Sequence, residues 1–423
     1  MSRLGRLAAI LSAALAAAGC PPGPPPCPSA PVQIPEFVFG QSQGGPQQAA
    51  FVEEAGFRYL RMTMSWVSLE AAVSHPTLTR AEVDADPSLV DDFTASANWA
   101  GLDAALAEIA SRGLKPIALV GHGYKGTLPS HNGARITPDS LGKANYIGNQ
   151  YLVTRAVVRR YASQVDFWQT ENELNQAMLT TLFGWREPAG IDGLTSAWGD
   201  WTFLTELLAA LRDAVKAEDP TAATTMNFHT DINPALNQFI NTPTWPDSIG
   251  RWRQYMDVVS FDAYPNYYAS SPVRGEVVGE RTAEVRVLAC ESQQVMIMET
   301  GYPTGPSVRG YDEAGQAAYI QEAYDTSVAA GAEGFVYFGI KTADTHTVDI
   351  TQEDLDNLAL IGEAYETGDW ATLLGFVLAD PEYLQGHFNE VLQSVEPYWG
   401  LVRPDLSHKP GFATVQSIAA SLP

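Results

Sequence analysis

Positive charge is what this chain lacks most. Its 423 residues carry 25 lysines and arginines against 49 aspartates and glutamates, a formal net charge of −24. There is no basic footprint to neutralise phosphates, which argues against nucleic acid and anionic membrane surfaces as partners. Cysteine is nearly as scarce, with only Cys20, Cys27 and Cys290. If Cys20 is modified, as argued below, two thiols remain. A disulfide framework is then not indicated, and Cys290 reads as a small buried hydrophobe. A glycine-rich phosphate loop is also wanting, because Gly-Gln-Ser-Gln-Gly-Gly (40–45) matches a dinucleotide-binding turn poorly. Asp344, His346 and Asp349 have the chemistry of metal ligands, but their spacing fits no defined set. Neither a metal nor a cofactor is expected.

What the chain does have is material for a large core, since 45% of its residues are apolar and 10% aromatic. Residues 1–19 read as a targeting signal. Arg3 and Arg6 precede a short apolar stretch at 7–18, which ends in Ala-Ala-Gly-Cys (17–20). That ending resembles a bacterial lipobox with Cys20 as the lipidated residue, although Ala17 stands where leucine is commoner. An ordinary cleaved secretory signal is the alternative. Residues 20–34 form a linker, and Pro-Pro-Gly-Pro-Pro-Pro-Cys-Pro (21–28) would act as a stiff spacer. The expected product is an exported monomer, secreted or held at the cell envelope only by an N-terminal lipid.

From residue 35 to the C-terminus, strand and helix signals alternate. Eight short apolar runs read as strands buried on both faces: 36–41, 59–63, 116–121, 165–170, 224–228, 258–262, 295–299 and 334–339. Between them, Leu102, Ala105, Leu106 and Ile109 follow the spacing of a core-facing helix. Ala317, Ile320, Ala323 and Tyr324 do the same before Gly331 stops the run. Eight such units predict an α/β fold, a single (β/α)8 barrel over 35–423 with insertions after strands four and eight. These insertions, 174–200 and 341–397, carry Trp185, Trp198, Trp370, Phe376 and Tyr383.

Two glutamates close apolar runs: Glu173 in Phe-Trp-Gln-Thr-Glu-Asn-Glu (167–173) and Glu299 in Val-Met-Ile-Met-Glu (295–299). In α/β barrels the strand ends carry the chemistry. A carboxylate pair across a cleft suits glycosidic bond cleavage, one acid protonating the leaving oxygen while its partner attacks the sugar carbon. With Asn172-Glu173 after the fourth strand and Glu299 ending the seventh, the chain resembles the clan A glycoside hydrolases, retaining (β/α)8 β-glycosidases. The resemblance covers roughly residues 35–420 and does not single out a family within the clan. It implies Glu173 as acid/base and Glu299 as nucleophile. It also implies Arg61 and Tyr264 beside the nucleophile; Asn172, by its chemistry, would suit the sugar 2-hydroxyl, a contact that strengthens in the transition state. The clan's usual Trp at the eighth strand is missing from Phe-Val-Tyr-Phe-Gly (335–339), so Phe338 or the later Trp399 must serve. Leu174 replaces the proline that often follows the acid.

Further candidates for the cleft are His122, Asn227, His229 and Trp66, each with an ordinary structural role as its alternative. Glu171, two residues before Glu173, would share its face if strand periodicity held, and like charges would then favour the protonated acid. Asp262 reads as a hydrogen-bonding residue within the barrel mouth. The function expected is hydrolysis of a neutral poly- or oligosaccharide by double displacement. The alternative is a surface glycan-binding protein that does no chemistry on the same scaffold.

Overall fold

In a computed structural model of the chain, residues 26–422 are described, apart from 43–44, 70–76, 122–129, 132–133, 178–195, 240–241, 268 and 381–382. The signal segment, Cys20, His122 and Trp185 therefore lie outside the described residues. Eight parallel strands close into a barrel in chain order: β1 Val38–Ser42, β2 Tyr59–Thr63, β3 Lys115–Leu119, β4 Phe167–Asn172, β5 Ala223–His229, β6 Val258–Ala263, β7 Gln294–Thr300 and β8 Gly334–Phe338. β8 returns to pair with β1. All eight predicted strands are present, with ends moved by up to two residues.

The barrel is filled from below by one inward apolar layer. Val38, Tyr59, Ile117, Phe167, Ala223, Val258, Met296 and Val336, one from each strand, form a buried cluster. Strand side chains alternate between faces, so residues two and four further along point inward again. There the chemistry changes: Arg61, Gln169, Thr225, Asn227, Ser260 and Asp262 are all buried polar side chains. The apolar floor thus gives way to a polar mouth at the C-terminal ends of the strands. A second, larger apolar cluster lies outside, between strands and helices. Leu102, Ala105, Leu106 and Ile109 are buried there from the helix Ala100–Ser111, as their spacing predicts. The helix Glu313–Ala329 instead buries Gln316 and Tyr319 along with Ile320 and Ala323, and Gly331 follows it with φ +92°.

Two register shifts aim the site. β4 advances from Gln169 to Asn172 while its neighbour advances only from Thr225 to Asn227. β7 advances from Ile297 to Glu299 while β6 moves one residue, from Phe261 to Asp262. Each shift inserts an extra residue, a bulge that changes which side chains face inward.

Residues after β8 build a small appendage. The helix Gln352–Thr367 packs through Leu358 on Phe388 and Val391, and Phe376 of the helix Trp370–Ala379 packs against the same cluster.

The cysteine expectation is overturned. Cys27 and Cys290 form a disulfide, with their Cα atoms 5.9 Å apart. Scarcity alone could not exclude a single long-range bridge. The segment before β1 is pinned under the barrel, with Val32 donating its N–H to Asp257 (3.0 Å) and Ile34 exchanging two hydrogen bonds with the Gln294 amide (2.7 and 2.9 Å). That docking carries Cys27 to the loop before β7. From Cys27 onward the proline-rich linker is therefore fastened to the barrel floor rather than free.

Candidate active site

Glu173 leaves the strand in an unusual way. It follows β4 with left-handed backbone (φ 51°) and starts the short turn Leu174–Gln176. For a residue with a side chain such backbone costs on the order of 1–3 kcal/mol and persists only where neighbours enforce it. Here they do. Its N–H donates to the Asn227 carbonyl (2.9 Å), and the Asn175 side chain makes two hydrogen bonds with the His229 backbone (2.9 and 3.0 Å). The turn is thereby stitched to β5, and the Glu173 carboxylate is held beside the His229 ring, Oε1 to Nδ1 3.0 Å. Asn172 Nδ2 approaches the other oxygen at 3.4 Å.

Glu299 is set by partners of the opposite kind. Arg61 pairs with its Oε1, and the Tyr264 hydroxyl donates to Oε2 at 2.6 Å. Both glutamates are only 6% exposed. Burial and the charge of Glu299 push the Tyr264 phenol well above its ordinary range, so it stays a donor. Arg61 is itself fixed from three more directions, by Gln169 (2.6 Å), Ser42 (2.8 Å) and Asn172. Asn172 Oδ1 also accepts from Asn227 (2.8 Å). One continuous network thus runs from Glu299 through Arg61 and Asn172 to Glu173. The two glutamates, 126 positions apart by their numbers, meet at the same barrel mouth.

Aromatic rings flank the Glu299 side. Trp399 stacks on Tyr264 (4.9 Å between centroids, 13° between planes), and Phe338 stands edge-on to both. Trp399 reaches this place because the chain after the appendage docks beside the end of β8, Leu401 donating its N–H to the Ile340 carbonyl (2.9 Å). Both candidates for the missing eighth-strand Trp therefore sit at the mouth.

Of the predicted residues, the structure brings together Glu173, Glu299, Arg61, Asn172, Tyr264, Asn227, His229, Phe338 and Trp399. Trp66 goes elsewhere: it is 2% exposed and packs near Tyr146 (6.4 Å) in the layer outside the barrel, a packing role. Glu171 does not share the face of Glu173. The β4 bulge breaks the period of two, and Glu171 bonds the Asn172 N–H (3.0 Å) and helps raise the Tyr146 phenol, for which burial is the larger cause. Gly121 makes room for it, since a Cβ there would come within 2.6 Å of the Glu171 carboxyl carbon. Asp344 and His346 are engaged with Lys409 (2.6 Å) and the Tyr398 hydroxyl (2.8 Å).

Sequence reading missed Gln169, which links Arg61 to Asn227, and Asp231. Asp231 accepts the Tyr264 N–H (2.7 Å) and lies 3.9 Å from the His229 ring. Burial raises its carboxyl above the ordinary range, against the pull of His229 and Arg281. Its position two residues after His229, at the end of the fifth strand, was the available signal.

No protein-family model and no curated protein sequence matches the chain. Solved structures do resemble it. One is a family 39 glycoside hydrolase from the gut symbiont Bacteroides cellulosilyticus (TM-score 0.50, 14% identity, 91% of this chain and 64% of that one). The chain therefore spans just under two thirds of that protein. Another is GH5_18 from Streptomyces cattleya in complex with GlcNAc (TM-score 0.57, 14% identity, 92% and 80%). A third is Fpglu1 from Fervidobacterium pennivoraus (TM-score 0.58, 12% identity, 89% and 83%). What they share with this chain is the barrel. At such identities the likeness establishes the fold, and the chemistry has to be argued from the mouth itself.

Proposed function

We propose that this protein is an exported retaining β-glycosidase acting on a neutral oligo- or polysaccharide. The observation that carries the reading is the joined pair of glutamates, with an arginine and a phenol on one carboxylate and a histidine and an amide on the other. A guanidinium and a donated phenolic proton are what a carboxylate nucleophile needs. In the first step Glu173 passes its proton to the glycosidic oxygen as the bond from that oxygen to the sugar carbon breaks. A Glu299 oxygen forms the new bond to that carbon. In the second, Glu173 takes a proton from water, whose oxygen displaces Glu299 and frees the sugar. Asn172 is placed for the sugar 2-hydroxyl, and Phe338 and Trp399 offer apolar ring faces to the pyranose.

A protein that only bound glycans would have little use for this network, because burying several ionisable groups costs stability without improving a neutral contact. The disulfide supports export, since such bonds persist in oxidising compartments. The acidic surface favours an uncharged substrate.

The test is a panel of aryl β-glycosides offered to wild type and Glu173→Ala. The expected result is turnover by wild type and a loss of about 10²–10⁴-fold in the variant for poor leaving groups. On dinitrophenyl glycosides, whose departure needs no proton, azide should restore the variant's rate by displacing Glu299 and yield a β-glycosyl azide. Binding without turnover in the wild type, or equal rates in both proteins, would instead mean a glycan-binding protein.

A further inference from the structure

Asp262, near the end of β6, is fully buried and takes no part in the two steps above. Its Oδ2 accepts from the Asn227 amide, but its Oδ1 is buried with no N–H or O–H to accept from. Its cross-strand partner is His229, whose ring holds the Glu173 carboxylate at 3.0 Å, and that carboxylate, another acceptor, acts on Asp262 by charge and hydrogen bonding. Two carboxylate oxygens can meet only with a proton between them, since otherwise lone pair faces lone pair and charge faces charge. We propose that Asp262 is the positioning residue of the acid: it shares one proton with Glu173, and the two carboxyls act as a single pair. The inference rests on the reading of Glu173 as acid/base.

The surroundings favour that proton. Facing the pair are His229 and Asp231 from β5 and the residues after it, Glu299 from β7, Arg61 from β2 and Tyr264 from the end of β6. The one fixed cation among them, Arg61, is committed to Glu299, Asn172, Gln169 and Ser42. Tyr264 gives its proton to Glu299. His229 Nδ1 meets the oxygen Glu173 Oε1. Burial first, then the negative charges of Glu299 and Glu173, push the Asp262 carboxyl well above its ordinary range.

The consequence for catalysis is a division of labour over the two steps. While the pair holds one proton, Glu173 can remain an acid at neutral pH. Once that proton has gone to the leaving oxygen, two negative charges stand side by side, and Glu173 becomes the stronger base for water. Proton count is conserved: the pair loses one in the first step and regains one from water in the second.

Asp262→Asn tests this with little change of shape. An amide at 262 can keep the Asn227 contact through its oxygen and donate its N–H to Glu173. With one carboxylate gone, the basic limb of the kcat/KM pH profile is expected to move down by at least about one unit for phenyl glycosides. Above the shifted limb that is a tenfold rate loss per unit. Dinitrophenyl glycosides, which need no proton on leaving, should lose far less. A merely structural role would lower rates for both leaving groups at every pH and leave the limb in place, and that result would overturn the proposal. A second readout does not depend on activity: infrared difference spectra at neutral pH should show a protonated carboxyl in wild type that disappears in Asp262→Asn. An unchanged band would equally overturn it. If wild type turned over no glycoside, the activity reading would fail, and the infrared difference alone would decide the shared proton.

Discussion

Two aspartates stand at opposite ends of one strand, and their surroundings differ completely. Asp257, just before β6, accepts from the Val32 N–H (3.0 Å), the Thr224 N–H (2.9 Å) and the Thr224 hydroxyl (2.8 Å), and it pairs with Lys216 (2.8 Å). Asp262, five residues on, has one amide partner and carboxylates for company. Both are essentially inaccessible, at 2% and 0% exposure. Burial is therefore not what separates them; compensation is. The N-terminal end of the barrel uses its charge to hold the incoming segment and close the floor, where the Cys27–Cys290 bridge also lies. The C-terminal end leaves carboxylates short of cations, which lowers stability but keeps a proton available. Barrels that carry out chemistry at one end and bear load at the other are expected to divide their charge this way.

Substitutions at the two ends should break that comparison in opposite directions. The largest effect is expected for Asp257→Ala, which strands Lys216 beside the barrel floor and removes three further hydrogen bonds. A loss of about 3–5 kcal/mol in urea unfolding is expected, with the shape of any activity–pH profile unchanged. Next comes Cys27→Ser. Freeing a 263-residue separation should cost about 2–4 kcal/mol, and kcat should be unaffected because the bridge lies at the far end from the mouth. The smallest effect, opposite in sign, belongs to Asp262→Asn. The Asp262 carboxyl is raised in the folded protein, so the native state holds this proton more tightly than the unfolded chain. Wild-type stability therefore falls as pH rises from the ordinary value of 3.8 toward the raised one. The asparagine variant has no such proton to lose. Its melting temperature relative to wild type should climb through that window, by a few degrees at most, and a flat difference would contradict the account of Asp262.

Much of this was legible in the sequence. The eight apolar runs announced the strands because a sheet covered on both faces needs continuous apolar stretches, and Glu173, Glu299, Arg61 and Tyr264 stood at their ends. What stayed hidden was parity. A period of two puts Glu171 with Glu173, yet the extra residue in β4 and the left-handed turn at Glu173 send the two side chains apart. Nothing in Gln-Thr-Glu-Asn-Glu marks a bulge, because a bulge is a relation between neighbouring strands rather than a property of one. The same holds for Asp262, whose significance comes from its pairing with His229, the residue that holds Glu173. The pairing of Cys27 with Cys290 escapes the sequence for a related reason: it depends on the docking of residues 32–34 under the barrel, through backbone groups that composition does not record. Trp66 and Trp399 show the limit from the aromatic side. Identical in chemistry, they were separated only by which layer their segments packed into.

The central claim is that Glu299 attacks sugar while Glu173 manages the proton. It can be tested directly by incubating the protein with dinitrophenyl 2-deoxy-2-fluoro-β-glycosides of the sugars it turns over and mapping the adduct by peptide mass spectrometry. One sugar on the peptide containing Glu299, with loss of activity in step with labelling, is the predicted result. An adduct on another carboxylate, or steady turnover of the parent glycosides with inverted products and no adduct, would contradict it.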